Sequence, residues 1–367
     1  MMQSLYNFLF YKIPRSYVKL SLRLFFRKWQ VHGEDNIPKN AAIIFVVNHQ
    51  NAFQDAILVA CSTSDEPWFL TRAGVFKSKI ARAIFRAFHM MPVYRFRDGV
   101  KGLRNNDATI RQCVDLLKDR KSILIFGEGD QDMRYRLRSL QKGFARIALT
   151  VQQESDWKTP LYIVPVGVQY DHYYNFRSRV LLNYGKAIPI DAAYQSLPER
   201  EFYDTLLAKT REELIPLMLH IEHEEYEAIE SYLRNNRIKD DLMDQLRHDQ
   251  KIIAEWSVNP KRVNTPKSKN YFLLAITFPL HLYVWINNIL PYALIKWILK
   301  KYVTLEFQGS LKVGLGMVIA PLFYLLQSSM VQVIFSDWRI TLSYLITLPF
   351  LSIWSVDIFK TTTGRLL

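Results

Sequence analysis

Cysteine is nearly absent from this chain: of 367 residues, two are cysteines, Cys61 and Cys113. Each falls in an apolar-periodic stretch, which points to small buried side chains in a reducing compartment rather than to a disulfide. No zinc-site spacing occurs. The first residues lack the unbroken apolar run of a secretory signal, because Lys12 and Arg15 interrupt it, and no small-residue cleavage site follows. There is no helix-turn-helix signal and no stacking platform interleaved with arginine, so nucleic acid is not an expected partner.

Acidic residues are scarce in the first part of the chain. Residues 1–150 hold 25 Lys+Arg against 12 Asp+Glu, so +13 of the net +14 lies there. By charge alone such a basic half suits an anionic partner, whether nucleic acid, anionic lipid or a phosphorylated substrate. Aromatics are plentiful, with 20 Tyr and 22 Phe, and these side chains favour boundaries between apolar and wet surroundings.

Five regions follow from the pattern. Residues 1–30 carry Leu20, Leu22, Leu24, Phe25 and Phe26 among Lys19, Arg23, Arg27 and Lys28, the composition of an amphipathic helix lying in an interface or packed on its own domain. Residues 31–198 alternate strands, expected at 42–47, 67–70, 90–94, 122–126 and 162–168, with helices, the clearest over 104–119. That alternation predicts an α/β fold with a mixed, partly parallel sheet flanked by helices. Residues 199–256 read as a charged helical pair with a wet face, and 257–270 as a linker.

The last region, 271–367, holds three long apolar segments, 271–299, 313–335 and 339–359, each near the roughly 20 residues that cross a bilayer core. The second and third are joined by Ser336, Asp337 and Trp338, which predicts a helical hairpin. Lys267, Lys269, Lys296, Lys300, Lys301, Lys312, Lys360 and Arg365 flank the segments and favour the cytoplasmic face. On that rule, 271–299 dips in and returns, with a break near Asn287-Asn288 and Pro291.

The chemistry-bearing residues stand after apolar runs. Ile43 to Val47 deliver Asn48 and His49 to the carboxyl end of a strand, and Asp55 follows in the next helix. An imidazole with an orienting carboxylate has the types needed to take a proton from a hydroxyl. Arg95 and Arg97 follow the strand ending Pro-Val-Tyr, and guanidinium forks match phosphate oxygens. Ile123 to Phe126 lead into Gly127-Glu128-Gly129, whose glycines permit unusual backbone angles and a close ligand approach. A basic stretch then runs to Lys142 and Gly143.

Together these blocks resemble the glycerophospholipid acyltransferase family: Asn-His-x5-Asp at 48–55, Pro-Val-Tyr-Arg at 92–95, Phe-Gly-Glu-Gly at 126–129 with Lys142-Gly143 downstream, and Val-Pro-Val at 164–166. The resemblance covers roughly residues 30–190. It implies transfer of a fatty acyl group from a thioester of coenzyme A or acyl carrier protein, with no cofactor, to the hydroxyl of 1-acylglycerol 3-phosphate (lysophosphatidate). Glycerol 3-phosphate or an amino-acid lipid are the other acceptors, and a catalytically silent lipid-binding membrane protein is the other class of function. By the same resemblance His49 is the base and Asp55 its orienting partner. Asn48, Arg95, Arg97, Glu128, Gly129, Lys142, Gly143 and Pro165 are the substrate-binding candidates.

Two features depart from the family pattern. Five residues, not four, separate His49 from Asp55, and six steps on one helix turn about 240°, which would part the side chains. His49 is therefore expected before the helix, with Asn51 as N-cap and a turn absorbing the extra residue. Gly127 replaces the usual proline, which predicts a looser loop by about 1 kcal/mol.

Overall fold

The computed structural model describes residues 8–76, 78–94, 100–236, 240–256 and 270–363. Its centre is β2 (Ala42–Val47), an all-apolar strand with no residue more than 2% exposed. A strand of that kind requires cover on both faces. Its alternating side chains supply it: Ile43, Phe45 and Val47 enter one core, Ala42, Ile44 and Val46 the other.

Around β2 the chain builds β1 (Lys28–His32), β3 (Trp68–Arg72), β4 (Met90–Val93), β5 (Ser122–Phe126), β6 (Leu161–Tyr170), β7 (Arg179–Tyr184) and β8 (Ile188–Ile190). The sheet order is β1-β7-β6-β2-β5-β3-β4, with β8 also paired to β6. β2 runs parallel to β5 and β6, whereas β7 and β8 pair antiparallel with β6. The expected mixed, partly parallel sheet is present. β1, β7 and β8 are not among the expected strands. Lys28 and Trp29, assigned above to the N-terminal helix, belong to β1.

Helix α1 (Ile13–Phe25) buries Leu22 and Phe25 in the core and leaves Ile13, Tyr17, Leu20 and Leu24 exposed along one stripe. α2 (Ala52–Ser62) covers the same sheet face. α3 (Lys79–Ala87) and α4 (Val100–Lys118) follow β3 and β4, and α4 packs with α5 (Gly143–Glu154) on the opposite face. Cys61 and Cys113 are both free and buried, and burial pushes their thiols up to about 11 and about 12.

The described residues of the charged region 199–256 hold three α-helices rather than a pair: α6 (Glu199–Leu214), α7 (Tyr226–Asn235) and α8 (Leu242–Glu255). It is also more than a wet face. Phe202, Leu206 and Leu214 join one core, and Ile229, Leu233, Leu242 and Leu246 the other. Residues 257–269 of the expected linker lie outside the described residues.

Among the described residues three helices, α9 (Tyr271–Tyr302), α10 (Leu305–Phe335) and α11 (Trp338–Thr363), are long and apolar enough to cross a membrane. The hairpin turn stands at Ser336, in the left-handed region with φ 51°. No non-helical break interrupts α9 at Asn287-Asn288; Pro279 and Pro291 lie inside a continuous helix. The Asn287 carbonyl, which Pro291 leaves without its helical donor, accepts from Gln327 Nε2 (2.7 Å). The Asn270 N–H donates to the Thr362 carbonyl at one end of α9 (3.0 Å), and Tyr302 at its other end stands three residues before α10 begins. Between them Asn288 bonds to Ser352 (2.9 Å) and accepts from Tyr324 (2.7 Å).

Candidate active site

The site forms where β2 stops. Asn48 extends the strand pairing with its side chain: its Oδ1 accepts from the Val168 N–H (2.7 Å) and its Nδ2 donates to the Val168 carbonyl (3.0 Å). The Asn48 side chain thus ties β2 to β6. His49 leaves the sheet, Gln50 and Asn51 turn the chain, and α2 begins at Ala52, whose φ is 42°. A left-handed alanine is strained by roughly 1–2 kcal/mol. The extra residue between His49 and Asp55 is absorbed in this turn, as the spacing required.

Asp55 then falls in the first turn of α2 with its carboxylate folded back over the loop. Its Oδ2 lies 3.0 Å from His49 Nδ1 and accepts from the backbone N–H groups of Gln50 (2.9 Å) and Asn51 (2.8 Å). Its Oδ1 accepts from the Tyr170 hydroxyl (2.6 Å). Burial, then the charge of Asp55, holds the Tyr170 hydroxyl well above the usual tyrosine range, so it remains a donor. Asn51 occupies the N-cap position without capping. Its side chain donates to the Tyr173 carbonyl (3.0 Å), and Asp55 receives the loop N–H groups instead.

The imidazole is held on its other sides as well. Its ring stacks on Phe126, centroids 3.7 Å apart with 10° between planes, and its backbone N–H donates to Glu128 Oε1 (2.9 Å). The second oxygen of Glu128 accepts from the Arg138 N–H (3.0 Å) and Nε (3.3 Å). Both oxygens of this buried carboxylate are therefore occupied by the protein, and Glu128 braces His49. With Nδ1 facing a carboxylate, Nε2 is left as the proton-accepting nitrogen.

Gly127 is not a loosened proline position. Its N–H donates to the Val47 carbonyl (3.2 Å), and an added Cβ would approach Leu140 to 2.8 Å and Val46 to 2.9 Å. Gly129 has φ 72°, where glycine is favoured.

The remaining candidates are spread more widely. Arg95 and Arg97 lie outside the described residues; their strand, β4, is at the sheet edge, and Asn106 holds Tyr94 through both its N–H (2.8 Å) and carbonyl (2.7 Å). Lys142 points to α6, facing Asp204 at 3.8 Å and the Tyr203 ring, and Gly143 starts α5. Pro165 is buried within β6 opposite Val46, and its carbonyl accepts from the Gly185 N–H (2.8 Å). It stands where the partner of β6 changes from β8 to β7, a place that tolerates a missing N–H.

Sequence reasoning missed Tyr170, Ser310 and the ring contact of Phe126. It also missed Gln50 and Gln54, buried side chains with amide atoms lacking a hydrogen-bond partner among the described residues. A cavity of about 1380 Å³ lies at the amino ends of β2 and β5, against Tyr11, Trp68 and His89. That is the end of the sheet opposite His49.

Residues 28–169, from the first residue of β1 almost to the end of β6, match the acyltransferase family. The chain carries an acyltransferase domain. Over 108 residues it is 32% identical to glycerol-3-phosphate O-acyltransferase 2 of Saccharomyces cerevisiae, covering 29% of this chain and 14% of that protein. Over 155 residues it is 24% identical to the chloroplastic 1-acyl-sn-glycerol-3-phosphate acyltransferase LPAT1 of Arabidopsis thaliana, covering 42% of this chain and 39% of that protein. The chain therefore spans well under half the length of either curated relative. The crystal structure of the 1-acyl-sn-glycerophosphate acyltransferase PlsC from Thermotoga maritima aligns with a TM-score of 0.40 and 18% identity, over 58% of this chain and 80% of that one. Residues 28–169 are thus acyltransferase-like, and the curated relatives they resemble are named as acyltransferases of glycerol 3-phosphate and of its 1-acyl form.

Proposed function

We propose that this protein is a membrane-bound O-acyltransferase of phospholipid synthesis that acylates the free hydroxyl of 1-acylglycerol 3-phosphate. His49 Nε2 takes the hydroxyl proton as the acceptor oxygen attacks the thioester carbonyl. The C–S bond breaks without an acyl-enzyme, and the departing thiolate receives the proton from the imidazolium. Asp55 fixes the tautomer and steadies the imidazolium that forms. The observation that carries this reading is the 3.0 Å approach of His49 Nδ1 to a fully buried Asp55 held by three further donors. That geometry favours an enzyme over a silent lipid-binding protein.

Arg95 and Arg97 are the residues for the acceptor phosphate, since a guanidinium fork keeps its charge at any working pH. The acyl donor is coenzyme A or acyl carrier protein thioester. The three apolar helices embed in the bilayer with the catalytic domain on its cytoplasmic face. Lys296, Lys300, Lys301 and Lys360 flank these helices and favour that face. The exposed stripe of α1 lies in the same interface.

The yeast relative's name favours a second acceptor, glycerol 3-phosphate. The purified full chain in detergent, assayed with long-chain acyl thioester against lysophosphatidate, glycerol 3-phosphate and a phosphate-free lysolipid, separates the readings. Phosphatidate formation is expected to be fastest. Faster acylation of glycerol 3-phosphate moves the assignment to that acceptor, and a preference for the phosphate-free lipid removes the role given to the arginines.

A further inference from the structure

We propose that Ser310, on membrane helix α10, is a positioning residue for acyl transfer: it holds the turn between His49 and Asp55 from within the C-terminal bundle. The inference rests on the reading of His49 as the base. Ser310 lies far outside the matched segment 28–169 and is completely buried. Its hydroxyl donates to the Asn51 carbonyl (2.7 Å) and accepts from the Gln54 N–H (3.3 Å).

Those two groups bracket the strained residue Ala52. The path from Ser310 to the imidazole is short. The hydroxyl binds the Asn51 carbonyl, the Asn51 N–H binds Asp55 Oδ2 (2.8 Å), and the same oxygen lies 3.0 Å from His49 Nδ1. A left-handed non-glycine residue persists where its surroundings hold it, and here the holding group comes from another helix.

The neighbours of Ser310 keep α10 at that distance. A side chain at Gly309 would run into the Tyr173 carbonyl and the Asn51 amide, so only glycine allows the approach. Two residues beyond Ser310, Lys312 Nζ donates to the Tyr174 carbonyl. The helix is thus seated on the turn after His49 and on the loop after β6.

Removing the hydroxyl leaves the Asn51 carbonyl still bonded to the Gln54 N–H (3.0 Å), so the fold has no newly orphaned backbone group there. The expected defect is in alignment. Ser310→Ala in the full-length protein is expected to lower kcat about tenfold, the scale of one hydrogen bond expressed at the reacting group, with KM within about twofold. Ser310→Thr, which keeps a hydroxyl, is expected to recover most of the loss.

Ser328→Ala is the control. Ser328 is buried on the same helix with a hydroxyl that has no partner among the described residues, and its removal is expected to leave kcat unchanged. If Ser310→Ala keeps kcat within twofold while His49→Ala is inactive, the inference is overturned and the base assignment stands. If Ser328→Ala lowers kcat as much as Ser310→Ala, generic packing of α10 explains the effect and the inference is equally overturned. An active His49→Ala removes the base assignment itself.

Discussion

Asp55 is the residue on which the site's geometry converges. Its carboxylate is fully buried, and a buried charge is tolerated only when its lone pairs are met by donors. Four meet it: His49, two loop N–H groups and Tyr170. Tyr170 is the donor that is not part of the loop, so its removal probes the carboxylate without cutting the turn. Tyr170→Phe is expected to lower kcat about tenfold with KM nearly unchanged, and to lower stability by about 1–3 kcal/mol by leaving Oδ1 unsatisfied. Steady-state kinetics and a melting curve check the two together. His49 and Asp55 were legible in the sequence because a strand of five apolar residues marks its own carboxyl end. Tyr170 was not, because it reaches Asp55 from 115 residues downstream, and only the pairing of β2 with β6 brings the two together.

Two short segments around the site, the turn 48–52 and the loop 126–129, show how elements absorb departures from a sequence pattern. The extra residue before Asp55 costs a left-handed alanine and leaves the His49–Asp55 contact intact. Gly127, expected to loosen its loop, is instead fitted between Leu140 and Val46 with its N–H bonded to Val47. Gly127→Pro is therefore expected to destabilise the protein by about 2 kcal/mol or more, by losing that bond and crowding two side chains; thermal unfolding measures it, and an unchanged or raised Tm would contradict the fit. The same scale explains which strands could be read. β2 and β5 are apolar runs buried by both cores. β1 starts at Lys28 and is half-buried throughout, and β7 starts at Arg179, whose buried guanidinium is met by Asp171, a pairing invisible before folding.

At the scale of the molecule, α1 and α11 meet at the loop between β6 and β7. Arg177, in the loop between β6 and β7, pairs through two nitrogens with Asp357 of α11 (2.9 and 2.6 Å) and donates to the Leu24 (3.1 Å) and Phe26 (3.0 Å) carbonyls at the end of α1. Lys360 of α11 donates to the Phe176 carbonyl (2.6 Å). The N-terminal helix, the C-terminal bundle and the loop between β6 and β7 are thus tied together through Arg177 and Lys360. Composition and helix length made the apolar segments readable. The attachment of α10 to the His49 turn was not readable, because nothing in a run of apolar residues says which polar group a lone serine will meet.

The proposed function gives His49 the role of a base beside a lipid surface. The most direct measurement is the rate of acyl transfer from a long-chain acyl thioester to lysophosphatidate by the purified full-length His49→Ala protein, with its melting temperature recorded alongside. General-base catalysis predicts a fall of about 10²- to 10⁴-fold at an unchanged melting temperature; a rate within about twofold of the unsubstituted protein would contradict it.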